Sequence, residues 1–171
     1  MRAILNPFIQ ICLLRQGPQD LPTSSILLAI TLIAHTVMSI VWSNISLNAG
    51  SALLSGLLDT LLLVVLTATL LYAQRRKSRV IQTLTALAGT GTIITFLALP
   101  VSGWLQGVDQ SAGEGGPAVI MLLILMGWSL AVVGHIFRHA LSIPYFFGLV
   151  LAMVFYGISI SAFRALFPGV A

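Results

Sequence analysis

Five stretches of this sequence, each at least 20 residues long, carry hardly a charge: Ser24 to Ser43, Ala52 to Ala73, Val80 to Leu105, Ala118 to Phe137 and Pro144 to Phe163. Crossing about 30 Å of hydrocarbon takes roughly 20 apolar residues in a helix. Lipid offers no water to pair backbone N–H and C=O groups, so spans of this kind must be helices. The chain is 58% hydrophobic and 7% charged, with a mean hydropathy of +1.05, so water is not its main solvent. The expected fold is therefore all-α: an integral membrane bundle of five transmembrane helices over residues 23–171, preceded by a leader over residues 1–22. A cleaved signal peptide has a shorter apolar core than the first run, which reads as a retained span.

Charge orients the bundle. Arg75, Arg76, Lys77 and Arg79 separate the second and third spans, Arg138 closes the fourth, and Arg2 and Arg15 precede the first. Five spans place these seven of the eight basic residues on one side, which the positive-inside rule makes cytoplasmic. The expected location is a bacterial inner membrane, with a cytoplasmic N-terminus and a periplasmic C-terminus. The other side receives Asp109 and Glu114, the "SNISLNAGS" loop and Arg164. Topology thus accounts for the net charge of +4 without a nucleic-acid partner. Arg75, Arg76, Lys77, Arg79, Arg138 and His139 would face lipid headgroups, where anionic lipid attracts each basic residue by about 1 kcal/mol. Asn44-Ile45-Ser46 matches a glycosylation sequon that matters only in a secretory-pathway membrane. The single Cys12 has no second thiol for a disulfide or redox motif.

In the leader, Arg2, Asn6 and Gln10 recur every four residues, while Ile4, Leu5, Phe8, Ile11 and Cys12 occupy the other side. That pattern predicts a short amphipathic helix lying in the cytoplasmic interface. Pro18 and Pro22 then bias their predecessors away from helix and bend the chain before the first span.

Ionisable residues at membrane depth are expensive and point to function. The first span carries Thr31, His35, Ser39 and Ser43 along one face, and the second carries Ser55, Asp59 and Thr60. Counting back along an antiparallel hairpin puts His35 and Asp59 at similar depth, close enough to pair. Such a pair could handle a proton or ion, or act only as interhelical glue. Gly89, Gly91, Gly127 with Ala131, Gly148 with Ala152, and Gly157 with Ser161 offer sites of close helix approach. Pro100 is expected to kink the third span near Phe96.

His135 and His139 stand four apart in "GWSLAVVGHIFRHAL", on one helical face as a metal site would need. Two further ligands would be required, with Cys12 and Asp20 the nearest candidates. Their place at the end of the fourth span, beside Arg138, instead suggests an orientation marker that complements the helix C-terminus and reaches the headgroups. No H-E-x-x-H, G-x-S-x-G or Walker motif is present, so no enzymatic activity, cofactor or metal is expected.

With five spans, an amphipathic leader, "ALAGTGTIITFLALP" in the third span and "WSLAVVGHIFRHA" in the fourth, the sequence resembles the Yip (Ypt-interacting protein) family of five-span membrane proteins, including its bacterial members. The likeness is strongest from Leu84 to Val154. It implies a non-enzymatic membrane protein; eukaryotic members are linked to Rab GTPases and vesicle traffic, and no catalytic residue carries over. The leading expectation is a scaffold that organises other membrane proteins or forms a homo-oligomer in the lipid bilayer. The alternative is a small transporter or ion-conducting protein that uses His35 and Asp59.

Overall fold

A computed structural model describes residues 2–108 and 115–167, so Asp109, Glu114 and the extreme C-terminus lie outside the described residues. It is all-helical, with no strand among the described residues. A short α1 (Arg2–Cys12) precedes α2 (Ser25–Ser43), α3 (Ala49–Ala73), α4 (Val80–Gly107), α5 (Gly116–Leu141) and α6 (Tyr145–Leu166). The last five are each long and apolar enough to cross a bilayer, which makes this a multi-pass membrane protein. Helix starts follow local chemistry. Ser24 Oγ accepts from the Leu27 amide and Asn48 Oδ1 from the Ser51 amide, each satisfying a donor that the first turn leaves open. Pro144 caps α6 from one position outside the helix rather than opening it.

The helices form a ring in the order α3, α2, α4, α5, α6, closed by a lighter contact between α6 and α3. α4 is the most enclosed, with Thr83 through Thr90 buried without a break. Close approach occurs at Gly134 and Gly148, where a Cβ on either would meet backbone of the other helix, and at Gly56 against Ile40. Gly148 thus serves as its spacing suggests; Gly127 and Gly157 face open space, so those two motifs do not pack. α4 continues through Pro100 to Gly107, and Phe96, whose carbonyl cannot receive the usual amide donor from Pro100, is 64% exposed on the outer surface.

As the sequence pattern predicts, α1 is amphipathic; it packs Phe8, Ile11 and Cys12 against α4 and α5. The Phe8 ring fills the space above Gly89. Trp128 Nε1 donates to the Cys12 carbonyl at 2.8 Å. Trp128 stands 13 residues before Leu141, about 20 Å along α5 from that end. The chain then descends beside α5, past His135 at Gln16 and His139 at Gln19, to Leu21, whose carbonyl accepts from Gln82 Nε2 at 2.6 Å. Leu5, Ile9 and Leu13 stay exposed on its outer side, as suits a lipid-facing surface.

Candidate functional site

His35 and Asp59 meet. α2 and α3 are joined by a short turn, so residues equally far from it face one another, and Thr36–Thr60, Ser39–Asp59 and Ser43–Ser55 form successive rungs of hydrogen bonds at 2.8, 2.6 and 2.9 Å. His35 Nε2 lies 3.1 Å from Asp59 Oδ2, the oxygen to which Ser39 Oγ also donates. The other ring nitrogen, Nδ1, has no hydrogen-bond partner among the described residues; the missing side chain of Gly91 leaves it room. His35 itself is buried.

Asp59 is enclosed by the ring of helices, yet its side chain keeps 46% of its surface free, because it forms part of the wall of a cavity of about 760 Å³. That volume falls in the range of small-molecule sites. All five long helices contribute, and the lining runs from Leu63, Leu87 and Val133 at its floor to Ser46, Leu47, Arg164 and Phe167 at its mouth. The mouth is at the end opposite Arg75, Arg76 and Lys77. Most of the wall is apolar, with Phe155 and Phe163 on one side, and polar groups converge beside Asp59. The Tyr156 hydroxyl, within electrostatic reach of Asp59, bonds Ser129 Oγ at 2.6 Å. Ser159 Oγ is buried and has no hydrogen-bond partner among the described residues. The arrangement can hold a charge, pass a proton between an imidazole and a carboxylate, and admit a solute from one end.

Tyr156, Ser129 and Ser159 join the site without any motif in the sequence that marks them. "FYGISIS" draws notice for its small residues, whereas Ser161 faces outward with its hydroxyl bonded to the Gly157 carbonyl, and Ser159 faces the cavity. A hydroxyl on an apolar helix commonly bonds back one turn, as Thr83, Thr85, Thr90 and Thr92 do here, so Ser159 stands out only once α6 is oriented.

The second histidine pair is elsewhere. His135 and His139 stack edge to face with centroids 4.5 Å apart. His135 is buried, and its Nε2 bonds the Gln16 carbonyl at 3.0 Å, so it anchors the leader instead of reaching a headgroup. His139 Nδ1 meets Gln19 Nε2 at 3.4 Å. No group of three or more metal-ligating side chains occurs among the described residues, so Cys12 and Asp20 do not complete a site. Burial pushes the Cys12 thiol up to about 11.

The basic residues divide too. Arg75 and Arg138 are exposed, and Lys77 lies 5.5 Å from the Tyr72 ring. Arg76 is half-buried in the turn, its amide bonded to the Leu71 carbonyl. Arg79, expected at the headgroups, donates Nη1 to the carbonyls of His139 and Ala140 and to Ser142 Oγ, all at 2.9 Å. It caps the C-terminus of α5, where helix carbonyls lack partners and a cation complements the dipole. Comparison with protein-family models, curated proteins and solved structures returns no match to this chain.

Proposed function

We propose that this protein is a non-enzymatic, small-solute carrier of a bacterial inner membrane, in which His35 and Asp59 couple solute binding to a proton. The observation that carries the reading is the placement of this pair on the wall of a large cavity with a mouth at one end. A structural rung would enclose its polar atoms between helices, as Thr36–Thr60 does; Asp59 instead presents a free oxygen to open space. With the basic end cytoplasmic by the positive-inside rule, the mouth faces the periplasm. A proton held on the His35–Asp59 pair can be given up when a cation takes its place beside the carboxylate.

The scaffold reading draws on the resemblance to the Yip family carried by "WSLAVVGHIFRHA". Its most partner-like surface, the apolar face of α1, is spent within the chain on α4 and α5. Proteoliposomes with a trapped pH indicator separate the two. The carrier reading expects solute-driven proton movement that Asp59→Asn abolishes while leaving the protein folded and inserted. Proton movement unaltered by Asp59→Asn, or none with any class of charged or neutral solute, would leave the scaffold in its place.

A further inference from the structure

Resting on the carrier reading, we infer that the cavity binds an organic ammonium ion bearing N–H donors, its charged head on Asp59 and its apolar body against Phe155 and Phe163. Asp59 is the only acidic residue in the described membrane-spanning helices. Its Oδ2 is taken by Ser39 and His35, while Oδ1 has no partner among the described residues. An ammonium N–H satisfies Oδ1, and a charge-assisted bond is the strongest such a site can make.

Other charges fit less well. A divalent metal needs several hard or imidazole ligands, and no cluster of three occurs among the described residues. The other hydroxyls near the pair are committed to one another, and about 760 Å³ is far more room than a bare ion occupies. Aromatic faces favour an organic cation over a hydrated one. An anion would meet Asp59. Arg164, the one arginine or lysine among the lining residues, stands eight residues beyond Tyr156 at the mouth, about 12 Å along α6. Arg164 at the mouth leaves room for a zwitterionic ligand as well.

The same ammonium chemistry could come from a soluble amine or from the headgroup of phosphatidylethanolamine. The test uses the full chain with Thr95→Cys as a reporter on the cavity wall. Cys12, on the packed face of the leader, is buried and silent. In phosphatidylcholine nanodiscs, whose quaternary headgroup lacks N–H donors, N-ethylmaleimide should modify the thiol introduced by Thr95→Cys, and phenethylamine should slow that modification. Neutral 3-phenylpropanol and anionic 3-phenylpropanoate should not. Asp59→Asn should weaken protection by about tenfold or more, as expected when a charged partner is lost. Protection in phosphatidylethanolamine nanodiscs without added amine would assign the lipid as the source; protection only by phenethylamine would assign a soluble one. Protection by the alcohol or the carboxylate, or by nothing, overturns the ammonium class while the cavity stands. A reporter that is never modified overturns the cavity itself and the carrier reading with it.

Discussion

Two polar sites in this bundle are built from similar residues and do opposite things. His35 and His135 are both buried within apolar helices, and each lies near a second ionisable side chain. His135 spends its hydrogen bond on a backbone carbonyl of the leader and faces packed side chains. His35 shares its contact with a carboxylate that borders open space, and its Nδ1 has no partner among the described residues. Ionisable character therefore does not distinguish function from architecture; what the remaining polar atoms face does. Where every valence is met by the chain, the residue holds a segment in place. Where one is left on a cavity wall, the fold has kept it for a ligand or a proton.

The sharpest way to break this contrast is to damage each site and ask which property fails. Near lipid, burying the apolar face of α1 against protein gains little over burying it in hydrocarbon, so its docking relies on close packing and on donors for its carbonyls. His135→Ala leaves the Gln16 carbonyl unpaired and opens space beneath the leader. We expect a loss of about 3 kcal/mol in thermal or denaturant unfolding, with phenethylamine protection in the Thr95→Cys reporter unchanged. Gly89→Leu occupies the seat of Phe8 and should cost about 1–3 kcal/mol, read by the same unfolding assay and by protease sensitivity of the leader. Either variant losing ligand protection at intact stability would erase the distinction.

Asp59→Asn should show the reverse pattern. Interhelical polar pairs contribute about 0.6 kcal/mol each, so unfolding should hardly change while proton movement and amine protection disappear. Cys12 gives a finer test. With its thiol pushed up to about 11, the thiolate is scarce at neutral pH and labelling should rise only as pH approaches that value. In Trp128→Phe, which removes the donor to the Cys12 carbonyl, labelling should shift towards the ordinary thiol value of about 8.5. The smallest effect should come from Thr36→Val, which cuts one rung between α2 and α3 for about 0.6 kcal/mol without touching the cavity.

Much of the fold is legible in the sequence because lipid narrows the choices: an apolar run long enough to span can only be a helix. Boundaries shift where polar or small residues continue a helix past its apolar core, as at Arg138–Leu141 and at the Gly116 and Pro117 start of α5. The meeting of His35 and Asp59 follows from counting back along a short hairpin. His135 misleads because its partner, Gln16, is 119 residues away and is brought there by a leader that runs back along α5. No local pattern encodes that path. Ser159 stays hidden because the rotation of α6, set by the Gly134 and Gly148 crossing, decides which of its hydroxyls sees the cavity.

The chain has only three histidines, so labelling them with nitrogen-15 gives three ring environments to follow in one sample. Titrating phenethylamine into the labelled protein in nanodiscs should move the His35 ring signals, leave His135 and His139 in place, and lose all effect in Asp59→Asn. Movement of the His135 signals with His35 unaltered would place the ligand at the leader and contradict the account.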